Sequence, residues 1–131
     1  MTTGSLKALL LLSLTFLEKT FAFSEVEKKE LVNAHNYYRA LVLDASNMLR
    51  MKWDNDLEEI ASQYAKKCIW EHNKNRGQIG ENLYAITSTV NLEAAVQKWH
   101  SEVIDYTYDT MECTPKKMCG HYTQVVWADS E

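Results

Sequence analysis

Length, composition and charge narrow the functional classes before any motif is considered. The chain has 131 residues, of which 46% are hydrophobic and 24% are charged, and its formal net charge at pH 7 is −4. A chain of this size forms one domain around one hydrophobic core. Its mild acidity argues against nucleic acid or anionic lipid headgroups as the main partner, because both attract basic surfaces.

The N-terminal two dozen residues have the pattern of a secretory signal peptide. Lys7 supplies the positive start, residues 8–17 supply an apolar run, and the small Ala22 lies near a cleavage point. The run is too short to span a bilayer, and no later segment reaches transmembrane length. We therefore predict a signal peptide over residues 1–23, with a mature start between Phe23 and Glu25. The mature domain, residues 24–131, is expected to be secreted and extracellular.

Two capping patterns mark the first two predicted helices. Ser24 with Glu27 starts a helix over about residues 25–41. The same pattern at Asn55 starts a second helix over about residues 55–71. Apolar residues recur at helical spacing in both, so each helix is expected to bury one face.

The second predicted helix carries an apolar stripe that ends at a histidine. The stripe comprises Leu57, Ala61, Tyr64 and Cys68. His72 is the next position in the same rhythm, so it is expected to point where the stripe points. A cation at a helix C-terminus is also explained by the helix dipole alone. Residues 73–80 are predicted to form a loop, and Glu81, which follows it, would by itself be an ordinary surface carboxylate.

Asn91 caps a third predicted helix, which extends to about Tyr106. Glu102 lies within or at the edge of its apolar stripe, where a carboxylate is costly unless something pairs with it. A boundary glutamate that reaches outward is the plain alternative. We interpret His100 on this helix, and His35 among the aromatic residues of the first helix, as structural.

The last predicted element is a strand. Residues 120–130 are rich in β-branched and aromatic side chains, and a strand at about Tyr122 to Trp127 would place His121, Thr123, Val125 and Trp127 on one face. His121 is then either a core histidine with one hydrogen bond or a ligand aimed into a pocket. With helices first and strand material last, the predicted fold class is α+β.

Three cysteines in an exported chain predict disulfides, but an odd number cannot all pair within one chain. The loop between Cys113 and Cys119 contains Pro115 and is turn-prone, so a local bridge could close it. Cys68 then lacks a partner. Either its partner belongs to another chain, or this chain stops before the partner appears.

Together these segments resemble the CAP superfamily, the fold shared by cysteine-rich secretory proteins, antigen-type venom proteins and plant pathogenesis-related proteins. The matching segments are His35-Asn36-Tyr37-Tyr38-Arg39, Cys68 with His72, Gly80-Glu81-Asn82-Leu83, Trp99 to Glu102, and Gly120 to Ser130 with Cys119 before it. The resemblance covers essentially the whole mature chain. It is strongest to the vertebrate peptidase-inhibitor and glioma-pathogenesis-related branches.

The resemblance implies a three-layer α-β-α sandwich with two histidines and two glutamates in a central cleft. Carried over residue by residue, these are His72, Glu81, Glu102 and His121. Such a cleft can hold a divalent metal such as zinc through His72 and His121, with Glu81 or Glu102 as a further ligand. It can also stay metal-free, with each glutamate stabilising the proton of a histidine, so no cofactor is required.

The resemblance also pairs Cys113 with Cys119 and gives Cys68 a partner in a C-terminal part that this chain lacks. Family members continue with further strands, a second signature and more cysteines. We therefore expect either a truncated isoform or an incomplete gene model, with Cys68 unpaired and the sandwich incomplete at its C-terminal strands. The strand at residues 122–127 would expose an edge, which predicts marginal stability or retention in the secretory pathway.

The function that the resemblance implies is that of a secreted, non-enzymatic interaction protein with a metal, lipid, sterol or extracellular protein ligand. The residues support this because the sequence contains neither a His-Glu-x-x-His zincin motif nor a Gly-x-Ser-x-Gly nucleophile elbow. One alternative is a metal-assisted or acid/base hydrolase, with His72 and His121 as ligands and Glu102 or Glu81 as the base. Protease inhibition, a further alternative, rests only on the name of the resembled branch.

Overall fold

The computed structural model describes residues 22–43 and 45–130 of the chain. All but the last two residues of the predicted signal peptide, residues 1–23, therefore lie outside the described residues. The elements are α1 (Glu25–Arg39), α2 (Asn55–Ala65), α3 (Leu92–His100), a 3-10 helix (Ser101–Asp105), β1 (Tyr106–Thr107), β2 (Glu112–Cys113) and α4 (Gly120–Val125). In the two described ranges, no helix has both the length and the apolar character needed to cross a membrane.

These elements confirm the α+β class but contain little strand. Among the described residues the sheet is one antiparallel ladder, with Tyr106 opposite Cys113 and Thr107 opposite Glu112. The three-layer sandwich stays a prediction, because this short ladder does not test it.

The start of α1 was predicted correctly. The Ser24 hydroxyl accepts the backbone N–H of Glu27 at 3.3 Å, and the Glu27 carboxylate accepts the backbone N–H of Ser24 at 2.8 Å. This reciprocal capping box satisfies two N–H groups that have no partner inside the helix. The helix ends at Arg39, slightly before the predicted boundary.

The predicted start of α2 at Asn55 agrees with the structure, but its N-cap is one residue earlier than expected and its predicted end was wrong. Its N-cap is Asp54, whose carboxylate accepts the backbone N–H groups of Asp56 and Leu57 at 2.8 and 2.9 Å. The helix stops at Ala65 instead of continuing to residue 71. The chain leaves helical geometry at Cys68, which has a φ of 52°. A left-handed residue cannot continue a right-handed helix, so the helical rhythm used to place the following side chains no longer applies.

Two corrections follow from this early end. Cys68 lies after α2 rather than on it and is an exposed free cysteine. His72 lies in the loop beyond Cys68, so it is not the next position of a helical stripe. The stripe itself is not buried, since α2 contains no buried residue and Leu57 is exposed.

The third helix begins as predicted and then tightens. The Asn91 side chain accepts the backbone N–H of Ala94 at 2.8 Å, which confirms the cap. The α-helix ends at His100, and the chain continues as the 3-10 helix before Tyr106 enters β1. Glu102 therefore lies in the 3-10 segment and not in a regular α-helix.

The strand predicted at residues 122–127 is wrong, because residues 120–125 form α4. The side chains that this segment buries, Cys119, Tyr122 and Val125, recur every third residue, which is a helical period. Residues with high strand propensity are those whose side chains pack well on a half-buried surface. In this segment α4 forms such a surface by packing on α3, so these side chains are accommodated in a helix. The disulfide between Cys113 and Cys119 is present and closes the loop just before α4.

The core lies where α1, α3 and α4 meet. Its buried side chains are Ala34, Tyr38, Val96 and Val125, with Leu31, Trp99 and Val126 packed around them. Val96 has no exposed surface, and Val125 is 1% exposed. Burial of these apolar groups stabilises the three-helix arrangement that positions the site.

Among the described residues, Arg39 is the buried charged side chain, at 2% exposure. In the part of the chain that the structure describes, its guanidinium has no carboxylate partner and donates instead to backbone carbonyls. The acceptors are Leu49, Val125, Trp127, Ala128 and Ser130. A positive charge also suits the carbonyl end of a helix, so Arg39 ties the C-terminal end of α4 and the residues after it to α1.

Candidate functional site: two histidine–glutamate pairs

The four side chains predicted to share a cleft form two histidine–glutamate pairs. The Nδ1 atom of His121 lies 2.6 Å from Oε1 of Glu102. The Nδ1 atom of His72 lies 2.7 Å from Oε1 of Glu81. In each pair the carboxylate reaches the same nitrogen of the imidazole.

The pair formed by Glu102 and His121 is anchored to the start of α4. The second oxygen of Glu102 accepts the backbone N–H of His121 at 3.0 Å and that of Tyr122 at 3.4 Å. The first N–H groups of a helix lack partners inside it and favour negative charge. One carboxylate therefore caps the helix and orients the imidazole. The exposed fractions of the two side chains are 26% for His121 and 16% for Glu102.

The pair formed by His72 and Glu81 is more open. Glu81 also accepts the backbone N–H of Asn73 at 2.9 Å, so it binds both the imidazole and the chain just after it. The His72 side chain is 56% exposed, although Glu81 is well covered. His72 was predicted to continue the helical stripe of α2, and this prediction was wrong because α2 ends at Ala65.

Asn82 connects the two pairs. It follows Glu81 in the chain, and its side-chain amide donates to the backbone carbonyl of His121 at 3.0 Å. Gly80, on the other side of Glu81, lies against the Gln124 side chain so closely that a Cβ at this position would come within 2.3 Å of it. The segment from Gly80 to Asn82 therefore runs directly along α4, beside His121. Asn82 was not predicted to be a site residue, although it lies in a segment that carries the family resemblance.

When the carboxylates are ionised, the hydrogen bonds select the tautomer of each neutral imidazole. An ionised carboxylate only accepts, so Nδ1 of each histidine carries the proton that it donates. In the neutral form, Nε2 then keeps its lone pair. Within the described residues, neither His72 nor His121 has a hydrogen bond at Nε2. An imidazole backed at Nδ1 by a carboxylate, with Nε2 free, has the arrangement typical of metal-bound histidine.

The donor set does not fit a closed structural zinc site, which takes four protein ligands. Across residues 22–43 and 45–130, no group of three or more histidine, cysteine, aspartate or glutamate side chains is placed to hold a metal ion. Both glutamates are already engaged by an imidazole and by backbone N–H groups. The arrangement offers two imidazole nitrogens, each held in place by its own carboxylate.

The other two histidines lie among apolar and aromatic side chains, as expected for structural residues. His35 donates from Nδ1 to the Leu31 carbonyl, over 2.8 Å. His100 stacks on the ring of Tyr38, with 4.3 Å between ring centroids. Burial lowers the pKa of both His35 and His100, because the charged imidazolium loses its hydration.

Comparison with known proteins identifies a family. The model of the family described as "CAP: Cysteine-rich secretory protein family" matches residues 32–131, a range that contains both histidine–glutamate pairs. The chain is 51% identical over 114 residues to Peptidase inhibitor 16 from Mus musculus, a match that covers 86% of this chain and 23% of that protein. It is 42% identical over 114 residues to Cysteine-rich secretory protein 3 from Equus caballus, covering 82% of this chain and 46% of that protein.

A third relative represents another branch. Glioma pathogenesis-related protein 1 from Mus musculus is 39% identical over 112 residues, which cover 78% of this chain and 43% of that protein. The chain thus spans from about a quarter to about half of the length of these relatives.

Proposed function

Because the chain belongs to the cysteine-rich secretory protein (CAP) family, we propose that it is a secreted, non-enzymatic interaction module with a histidine–glutamate binding site. Zinc is the divalent metal that this site would take. An extracellular protein, a lipid or a sterol would be recognised by the surrounding surface. The architecture that we propose for the domain is the three-layer α-β-α sandwich.

The observation that carries the metal proposal is the carboxylate behind each imidazole. His72 and His121 would bind zinc through Nε2, while Glu81 and Glu102 would hold the rings in the correct tautomer and orientation. The glutamates thus act as orienting groups rather than as further ligands. A bound zinc would supply a positive charge able to attract an oxygen of the recognised ligand.

Secretion is supported by three independent features. The sequence begins with a signal-peptide pattern. The Cys113–Cys119 disulfide belongs to oxidising compartments, where such bonds persist. Relatives at 35–42% identity carry the word "secretory" in their names.

A binding role is supported over nucleophilic catalysis by the surroundings of the imidazoles. Among the residues that the structure describes, no hydroxyl or thiol is hydrogen-bonded to His72 or His121. A nucleophile needs an adjacent base within hydrogen-bonding distance. The free thiol, Cys68, is not paired with either histidine.

A lipid or sterol ligand is favoured by exposed apolar side chains on the segment that carries Glu102. Ile104 in the 3-10 helix is 86% exposed, and Tyr108 and Met111 in the turn between β1 and β2 are also exposed. Ile104 belongs to the same 3-10 helix as Glu102. Exposed apolar groups that lie together mark interaction surfaces, and we propose that these three side chains contribute to one.

Zinc titration of the mature chain by calorimetry tests the metal proposal. We expect one binding event that is lost in His72→Ala and in His121→Ala. Glu81→Gln and Glu102→Gln should weaken binding by about 10- to 100-fold, because the rings lose their orienting partner. Glu71→Gln is the matched control, since this exposed glutamate lies next to His72 but pairs with Lys74.

Unchanged zinc affinity in both histidine variants would contradict the metal proposal. Incubation of the zinc-loaded chain with a peptide library separates binding from catalysis. Zinc-dependent cleavage that disappears in His121→Ala would favour a hydrolase over an interaction module.

A further inference from the structure

Glu58 in α2 collects donors from three separate parts of the chain. The backbone nitrogen of Phe23 lies 3.0 Å from its Oε1 atom. The indole nitrogen of Trp53 and the ammonium of Lys28 each lie 3.0 Å from Oε2. Glu58 is only 12% exposed, although α2 itself contains no buried residue.

Phe23 is held by its side chain as well as by its backbone. Its ring meets the Trp53 ring edge to face, with 5.8 Å between centroids and an angle of 80°. Ser24, the next residue, caps α1. Ala22, the first described residue, makes no hydrogen bond, ion pair or ring contact with the other residues that the structure describes. Among these residues, Phe23 is therefore the first to be held by such contacts.

We propose that the signal peptide is removed by hydrolysis of the Ala22–Phe23 bond and that the released α-ammonium group of Phe23 forms an ion pair with Glu58. This inference rests on the proposed secretion. A signal peptidase accepts small residues at the first and third positions before the cut, and Ala22 and Thr20 occupy these positions. Water adds to the Ala22 carbonyl, the C–N bond breaks, Ala22 keeps a carboxylate and Phe23 keeps a protonated amine.

The charges around Glu58 favour this product. Lys28 pairs with both Glu58 and Glu25, so one cation faces two carboxylates. The new ammonium group supplies the second cation. The Lys28 ammonium, helped by the Trp53 and Phe23 N–H donors, holds the pKa of Glu58 below its usual value, so the carboxylate is ionised at neutral pH. A charged donor strengthens the bond that the neutral amide already makes at this position.

Neighbouring cleavage points would discard contacts that the structure contains. A chain starting at Ser24 would lose the bond between Phe23 and Glu58 and the ring contact with Trp53. A chain starting at Glu25 would also lose the capping box of α1. Phe23 is the start that keeps both sets of contacts while leaving the small Ala22 on the signal peptide.

N-terminal sequencing and intact-mass measurement of the product secreted by cells expressing the full chain test the cleavage site. We expect Phe23 as the first residue. A secreted product that begins at Ser24 or Glu25 would overturn this inference and leave the proposed secretion intact. A product that stays in the cell with its leader would overturn both.

Titration of the α-amino group, followed by the pH dependence of its acylation rate, tests the ion pair. The pKa of this group should be about one unit above the ordinary value in the chain that starts at Phe23. A chain with the single extra residue Ala22 should show the ordinary value, because its amine no longer lies at Glu58. Equal values in the two chains would overturn the ion pair even if the cleavage site is correct.

Substitution of Glu58 identifies the partner. Glu58→Gln in the chain starting at Phe23 should return the α-amino pKa to its ordinary value. Glu59→Gln is the matched control, because the carboxylate of this exposed neighbour accepts a hydrogen bond from the Gln63 amide instead. A raised pKa that survives Glu58→Gln would assign the effect to another group. If Glu58→Gln does not fold, the comparison of the two N-termini still decides the question.

Discussion

The two sides of this molecule have similar amphipathic sequences but differ in burial. On one side, α1, α3 and α4 enclose a core in which Val96 and Val125 are almost completely covered. On the other side, α2 has an equally regular apolar stripe, yet none of its residues is buried, and Leu57 and Ile60 are exposed. An apolar stripe shows which face of a helix can be buried, but a second surface must be present to cover it.

The two histidine–glutamate pairs of the candidate site lie in regions that differ in burial. The pair of Glu102 and His121 belongs to the packed side, where the carboxylate also bonds two backbone N–H groups of α4. The pair of His72 and Glu81 lies in the loop after α2, where His72 is mostly exposed. Glu102 and His121 thus form the more tightly held pair, because α4 contributes backbone hydrogen bonds to the carboxylate.

The largest expected effect concerns Arg39. Replacement of Arg39 by Met removes a guanidinium that donates hydrogen bonds to five backbone carbonyls. The carbonyls of Val125, Trp127 and Ser130 would then lack this donor. We expect the free energy of unfolding to fall by about 3 to 5 kcal/mol. Urea denaturation measures this, with the exposed Arg50→Met as the matched control, expected within about 0.5 kcal/mol of the parent. A loss below about 1 kcal/mol for Arg39→Met would mean that the Arg39 hydrogen bonds do not stabilise the packing of α1 and α4.

A pair of truncations tests the difference in burial directly. Val96→Ala removes two methyl groups from a fully covered position, so we expect a loss of about 2 kcal/mol in unfolding free energy. Leu57→Ala removes more atoms, but from an exposed position, so the expected loss is about 0.5 kcal/mol. Equal losses in the same denaturation series would show that the α2 stripe is covered in solution.

The two site glutamates provide the next comparison. Glu102→Gln weakens the cap of α4 and the bond to His121, and we expect it to lower the unfolding free energy by about 1 to 2 kcal/mol. Glu81→Gln affects an open pair, so its cost should be below about 1 kcal/mol. Thermal unfolding of both variants in parallel, without added metal, gives the difference. A larger loss of stability for Glu81→Gln than for Glu102→Gln would contradict the conclusion that Glu102 and His121 form the more tightly held pair.

The smallest expected effect is a dependence of stability on pH. Burial lowers the pKa values of His35 and His100 in the folded state, while in the unfolded chain they titrate at about 6.5. Between these values the unfolded state binds more protons, so the stability present above about pH 6.5 should be lost progressively as the pH falls. Melting temperatures at about pH 7.5 and pH 5.5 measure this. The double variant His35→Gln/His100→Gln should show a flatter dependence, and an unchanged slope would contradict the assignment to these two histidines.

The sequence predicted local features well where they depend on neighbouring residues. The caps at Ser24 and Asn91 each need one side chain and an N–H group three residues away, and both are present. The bridge between Cys113 and Cys119 closes a short loop and was expected for the same reason. The four site residues came from family resemblance, and the structure places all of them in contact with a partner of the opposite type.

The failures occurred where the pattern of apolar residues does not decide the backbone conformation. The end of α2 depends on the left-handed conformation of Cys68, which hydrophobic periodicity does not reveal. The segment from Gly120 to Val125 is short and β-branched, so its pattern fits a strand or a helix, and packing on α3 selected the helix.

The sequence by itself therefore determined the starts of α1 and α3, the local disulfide, the family and the identity of the two imidazoles and two carboxylates. The tertiary structure alone decided which glutamate holds which histidine, that Arg39 is buried among carbonyls, and that the stripe of α2 stays uncovered. The physical reason is the separation along the chain of the residues that interact. Caps and short loops are fixed by interactions over a few residues, whereas burial and side-chain pairing depend on surfaces that come together only when the chain has folded.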